Sequence, residues 1–280
     1  MLKQLIFMVS ENIELPEYKE SDVLVVRSDK KSDASMAARD IIKDTKRDTI
    51  YICDDSLVAR KMQENGENVV ALLTDDNSNQ DFSFCSYAIM EAKECELAFF
   101  EGLLKRFLGL PFNILETQRC LVRETTLKDV DDFYILYKDK EITEYMEPLF
   151  EDRDEEIEYT KSYIKNIYEF YGFGMWTIVE KKSGKVIGRA GVSYREGFAL
   201  AELGFMIGKE YQRKGFAYEV CKAICNYMYE NYDMEELQIL IEPQNTPSIL
   251  LAKKLGASLY KKKCMGECDS YIMKLPLSDS

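Results

Sequence analysis

The stretch Ala199 to Gly256 constrains the fold of this chain more than any other part of it. It reads as strand, glycine-bearing turn, helix, strand, turn, helix. Leu200 to Ile207 has the apolar and aromatic content of a strand. The turn is Gln212-Arg213-Lys214-Gly215-Phe216-Ala217. From about Phe216 to Tyr232, the residues Ala217, Val220, Cys221, Ile224 and Met228 recur on one helical face. A second strand, Leu237 to Ile241, is followed by the break Glu242-Pro243-Gln244-Asn245-Thr246-Pro247. A second helix, Pro247 to Leu255, stops at Gly256.

The turn has the makings of an anion site. The first N–H groups of a helix lack intrahelical acceptors and carry a partial positive charge. Gly215 and the small Ala217 let that backbone approach a ligand closely. Lys209, Arg213 and Lys214 add positive charge to a chain whose net charge is −13. A diphosphate is the natural partner. The P-loop pattern GxxxxGK[ST] and the dinucleotide pattern GxGxxG are both absent.

The ordered set Gln212-x-x-Gly215-x-Ala217, Asn245-x-x-Ser248 and Lys254-Leu255-Gly256 resembles the GNAT N-acetyltransferase superfamily, in its ribosomal-protein-N-acetyltransferase-like branch. The likeness covers about Thr117 to Leu275. It extends to Arg119-Cys120-Leu121-Val122-Arg123-Glu124 as first strand, and to Trp176-Thr177-Ile178-Val179 with Val186-Ile187-Gly188 as central hairpin. It implies an α+β fold with a mixed, mostly antiparallel central sheet, and acetyl-CoA as co-substrate. By the same resemblance, Gln212, Arg213, Lys214, Gly215, Phe216 and Ala217 hold the pyrophosphate. Backbone groups near Met206 and Ile207 bind the pantetheine arm, and Asn245 completes the cofactor set. The acceptor would be a small-molecule amine or a protein N-terminus.

An amine must be neutral when it attacks a thioester, so a group has to accept its proton. The chain has no histidine. Ser-His-Asp, Cys-His and His-ligated metal chemistry are therefore excluded. Glu202, on the strand leading to the acetyl group, is the base candidate; it also reads as an outward-facing strand carboxylate. Ser248 is the candidate acid for the departing thiolate; it also reads as a helix-cap hydroxyl. Many GNAT enzymes carry a tyrosine seven residues after the asparagine, and Ala252 stands there. The acidic run Glu151 to Glu156 reads either as attraction for a cationic amine or as acids gathered at a helix start. Phe170 to Trp176 reads either as acceptor lining or as core.

Residues 1–115 alternate strand-like and helix-like pieces: Leu5 to Ser10, Val23 to Val26, Thr49 to Cys53, Val69 to Leu73 and Tyr87 to Met90, with helices at Ala34 to Thr45, Ser56 to Glu64 and Glu94 to Leu108. Such alternation predicts a Rossmann-like parallel α/β domain. Ile50 to Ser56 with Val69 to Leu72 resembles the rear half of a haloacid-dehalogenase-like core, with Lys30 or Lys31 where that family places its lysine. The family's first-strand Asp-x-Asp nucleophile is missing, and Ser10, Glu11 and Asn12 occupy that place, so a catalytic role is not expected. Asp54 and Asp55 then read as a strand end, with Asp55 or Ser56 as helix N-cap.

The reading is thus of two domains, 1–115 and 116–280, joined by a packed linker from Gly109 to Thr117. Both halves are acidic, so neither is a basic nucleic-acid module. No apolar run is long enough to span a membrane, and Leu2 to Val9 is too short for a signal peptide. The eight cysteines are scattered and read as reduced thiols of a cytoplasmic protein. Cys264 and Cys268 are a close pair, but without histidine they make a poor metal site and none is expected. A non-catalytic acyl-CoA-binding sensor or interaction module remains the alternative, because it would keep the same turn.

Overall fold

The computed structural model of the protein describes residues 2–18, 24–27, 46–265 and 268–278. The chain divides into two compact units, Met1–Leu110 and Pro111–Ser280. In the first unit, short apolar runs form strands β1 (Gln4–Met8), β2 (Leu24–Arg27), β3 (Thr49–Cys53), β4 (Val69–Leu72) and β5 (Ala88–Ile89), with helices α1 (Ser56–Glu64) and α2 (Leu97–Phe107). The strands lie in the order β2-β1-β3-β4-β5, all parallel.

Successive strand residues point to opposite faces, and here both faces are covered, as parallel sheets require. Leu5, Phe7, Ile50, Ile52, Val70 and Leu72 pack with Phe100, Leu103 and Leu104 of α2. Ile6, Met8, Tyr51, Cys53, Val69 and Ala71 pack with Ala59 and Met62 of α1. Asp55 is the N-cap of α1, accepting from the N–H groups of Leu57 and Val58. Asp54 is buried and accepts from the Ser10 N–H at 2.8 Å and the Ser10 hydroxyl at 2.7 Å. The expected helix at Ala34 to Thr45 and the lysines Lys30 and Lys31 fall outside the described residues.

The second unit runs through β6 (Asn113–Glu116), β7 (Cys120–Arg123), α3 (Asp129–Leu136), α4 (Lys140–Thr143), α5 (Arg153–Tyr163), β8 (Met175–Glu180), β9 (Val186–Ser193), β10 (Glu202–Ile207), α6 (Phe216–Tyr232), β11 (Glu236–Ile241), α7 (Thr246–Leu255), β12 (Ser258–Met265) and β13 (Cys268–Pro276). Its eight-stranded sheet has the order β12-β13-β11-β10-β9-β8-β7-β6. It is mixed and mostly antiparallel, with β10 and β11 as the parallel pair.

The linker reading needs correction. Asn113–Glu116 is not a connector but a strand paired with β7, and burial of Ile114 in the sheet's core fixes it there. The division of the chain accordingly lies five residues before the expected boundary. Helix α6 has the bounds read from the sequence, and Val220, Cys221, Ile224 and Met228 are buried as expected. Ala217 is half-buried, while Phe216 and Cys225 join the core. The six cysteines whose side chains are described are free. Burial pushes the Cys225 thiol up to about 12, which makes it inert.

A candidate acyl-transfer site where two strands part

Strands β10 and β11 are in parallel register at one position, Glu202↔Gln238. The Gln238 N–H donates to the Ala201 carbonyl at 2.9 Å, and its side-chain Nε2 donates to the Leu200 carbonyl at 2.9 Å. Beyond that point β10 keeps its ladder with β9 as far as Ile207↔Gly188, while β11 pairs with β13 on its other side. The two strands therefore part, and the β11-side edge of β10 is left without a strand partner.

The β9 ladder decides which backbone groups face that opening. The Gly208 N–H donates to the Ile187 carbonyl. In an antiparallel ladder the groups turned to one neighbour alternate residue by residue, so Met206 turns its N–H and C=O to Arg189 of β9. The backbone groups of Phe205 and Ile207 face the opening instead. Met206, expected to present its backbone there, contributes a buried side chain, and Phe205 takes its place. No local feature of the sequence signals this, because the register across β9 sets it.

The turn after β10 is tied to the strand end. Gln212 Nε2 donates to the Ile207 carbonyl at 3.0 Å. Arg213 (φ 58°) and Gly215 (φ 82°) are both left-handed, an arrangement that aims successive backbone N–H groups to one side. The Glu219 N–H bonds the Gly215 carbonyl, so the N–H groups of Phe216, Ala217 and Tyr218 stand ahead of the first intrahelical bond. The Phe216 ring is buried and meets Tyr211 edge-on. Arg213 and Lys214 are exposed beside it.

Arg119 braces this turn, a role its place in the first strand did not suggest. Its Nη1 donates to the Lys214 carbonyl at 2.9 Å and its Nε to Glu219 Oε2 at 2.6 Å, while its guanidinium lies 4.1 Å over the Phe216 ring. Lys209, expected to add charge at the turn, is instead paired with Glu141 at 3.1 Å and Asp139 at 3.3 Å.

Glu202 lies where the strands are still joined, half-buried, with its Oε2 3.1 Å from Arg195 Nε. Burial pushes its carboxyl above the ordinary range, the Arg195 charge pulls it back, and Glu147 adds a further upward push. Asn245 is the N-cap of α7, its Oδ1 accepting from the Ser248 N–H at 3.2 Å. Asn245 therefore does the capping, and the Ser248 hydroxyl is not used for it. Ala252 is fully buried in the core.

The acidic run is a helix start: Asp152 caps α5 and buried Glu156 accepts from the Phe150 N–H. In the aromatic stretch, Phe173 and Trp176 are core, whereas Phe170 is exposed. Among the described residues no group of three Cys, Asp or Glu is placed to hold a metal; the side chains of Cys264 and Cys268 lie outside them.

Residues 119–258 match the family model of the acetyltransferase (GNAT) domain. The protein belongs to the GNAT acetyltransferase family. Among its relatives are the uncharacterized N-acetyltransferase p20 of Bacillus licheniformis, 29% identical over 51% of this chain and 80% of that protein, and the uncharacterized N-acetyltransferase YnaD of Bacillus subtilis, 26% identical over 54% of this chain and 87% of that one. The fold is shared with the ribosomal L7/L12 alpha-N-protein acetyltransferase RimL (TM-score 0.52, 12% identity, 60% of this chain and 96% of that one). It is shared too with a GNAT-family acetyltransferase from Bacillus anthracis (TM-score 0.50, 21% identity, 58% and 97%).

Proposed function

We propose that the second unit transfers an acetyl group from acetyl-CoA to a primary amine by direct attack in a ternary complex. The observation that carries this reading is the parting of β10 from β11 just ahead of the Gly215-led start of α6. The amides of Phe216, Ala217 and Tyr218 take the diphosphate, with Arg213 and Lys214 beside them and Gln212 holding the turn to Ile207. Backbone groups of Phe205 and Ile207 bind the pantetheine arm and polarise the thioester carbonyl, as oxyanion-hole donors do. Glu202 accepts the amine's proton, directly or through one water, and its raised pKa suits it to that task. The Ser248 hydroxyl protonates the departing thiolate, because Ala252 offers no group that can. Asn245 sets the start of α7 and thereby the position of Ser248.

For the first unit we infer a haloacid-dehalogenase-like descent without catalysis. The lack of catalysis rests on the missing Asp-x-Asp motif, whose place Ser10, Glu11 and Asn12 take, with Asp54 engaged by Ser10. The free, largely buried thiols favour a reducing, cytoplasmic setting.

The test is a screen for CoA release from acetyl-CoA against peptides with free N-termini, polyamines, amino acids and antibiotic amines, run beside calorimetry of acetyl-CoA binding. Release with one acceptor class supports transfer. Tight binding without release across the panel supports the sensor reading, and absence of binding removes both.

A further inference from the structure

Arg189 stands at the middle of β9, directly opposite Thr177 on β8 and Met206 on β10. Its neighbours in alternation, Ala190 and Val192, pack into the core with α6. The Arg189 side chain therefore projects from the other sheet face, the face shared with Met206 and Glu202. Its guanidinium lies 4.6 Å over the Phe133 ring of α3 and reaches the Tyr137 hydroxyl. Tyr159 and Tyr163 of α5 are close enough for its charge to oppose the rise that burial imposes on their hydroxyls. Nε is shut off from solvent and meets no acceptor among the described residues, while the residue as a whole keeps some exposure.

Three carboxylates of α3, β10 and α5, the elements beside it, are committed elsewhere. Asp129 takes Arg123 through two bonds of 2.7 Å. Glu202 takes Arg195, and Glu156 takes the Phe150 N–H. Among the described residues no carboxylate lies within ion-pairing distance of Arg189. A guanidinium held in such surroundings without a counter-ion is expensive. An incoming anion that matches its planar fork would relieve that cost.

Resting on the acetyl-transfer reading above, we infer that the acceptor is an amine that carries its own carboxylate, and that Arg189 binds that carboxylate while Glu202, on the same face, meets the amine. Arg189 is then a specificity determinant, and it disfavours polyamines, whose charge it repels.

The test uses the full chain saturated with CoA. A panel of free amino acids is titrated by calorimetry, each beside the amine left when its carboxylate is removed. At least one amino acid should bind ten-fold or more tighter than its paired amine. Arg189→Met should reduce that preference to within about two-fold, and Arg189→Lys should keep part of it, with CoA affinity unchanged in both. Equal binding of both partners in the parent protein, binding by no amino acid, or a preference that survives Arg189→Met overturns the inference. If Arg189→Met does not fold, the parent comparison and Arg189→Lys still decide. CoA release on the same pairs separates the two claims. Release that ignores the carboxylate sinks the Arg189 site alone, whereas carboxylate-dependent binding without release sinks acetyl transfer alone.

Discussion

Arg195 Nε and Glu202 Oε2 are 3.1 Å apart, and Arg195 Nη2 also reaches Glu147 Oε1 at 3.9 Å. Glu202 is thus caught between burial and Glu147, which raise its pKa, and Arg195, which lowers it. A general base works deprotonated, so the acid limb of kcat/KM should lie above the ordinary carboxylate range. Removing Arg195 removes the lowering influence, so Arg195→Ala should move that limb to higher pH. Glu147→Gln removes a raising influence and should move it lower. A pH–rate profile that neither substitution shifts would exclude Glu202 as the base.

The same assignment predicts that Glu202→Gln lowers kcat by about 10²-fold or more, the usual scale for loss of a general base. Acetyl-CoA affinity should stay within two-fold, because the turn proposed to take the diphosphate follows the other end of β10. Full kcat in Glu202→Gln with a verified acceptor would make Glu202 a structural partner of Arg195 only.

Asn245 and Ser248 should separate cleanly. Asn245→Ala removes the cap of α7 and should cost about 1 kcal/mol of stability, read from a denaturant midpoint. Ser248→Ala leaves that cap intact, since its backbone N–H is the donor. It should leave stability unchanged and lower kcat by less than Glu202→Gln does, because a thiolate is a tolerable leaving group. Unchanged kcat in Ser248→Ala would take Ser248 out of the proton path.

What was legible in the sequence follows from how local each cause is. Helix α6 and strand β3 have the bounds that their patterns predict, because apolar spacing and flanking turn residues are written within them. Strand β6 was read as linker, since four residues show their burial only once β7 lies beside them. The partners of Lys209 and Arg189 sit on elements distant in sequence, so no spacing rule reaches them; that of Glu202 lies in the connection just before β10 and is set by how that connection folds back. Which backbone groups near Met206 face the opening is likewise a non-local matter: the ladder with β9, not the residue, decides it.

Gly215 should prove to be required by its backbone rather than by space. Its φ of 82° is left-handed, and a Cβ there would meet only Arg119 Nη2, at an ordinary 3.5 Å. Valine in that conformation is disfavoured by about 1–2 kcal/mol and should re-aim the turn amides, lowering CoA affinity by ten-fold or more. Asparagine tolerates the conformation, so Gly215→Asn should bind CoA within about three-fold of the parent. Equal affinity in Gly215→Val, by calorimetry, would count against the turn as the diphosphate site.

Gly191 and Gly204 face each other across β9 and β10, yet alanine should be tolerated at only one of them. A Cβ on Gly191 would lie 1.9 Å from the Gly174 carbonyl oxygen, a backbone atom that cannot swing aside. A Cβ on Gly204 would lie 3.0 Å from the Met175 sulfur, and a thioether can rotate away. Overpacking against backbone falls at or beyond the upper end of the usual 1–3 kcal/mol. In a unit of this size about 1 kcal/mol corresponds to roughly 2–4 °C. Gly204→Ala should therefore lower Tm by a few degrees at most, and Gly191→Ala by about 10 °C or prevent folding of the second unit. Equal shifts for the two variants in a thermal melt would show that the strands can part at Gly174 to admit a methyl group. The close approach of β8 to β9 would then be a soft contact rather than a constraint on the sheet that positions Glu202 and Arg189.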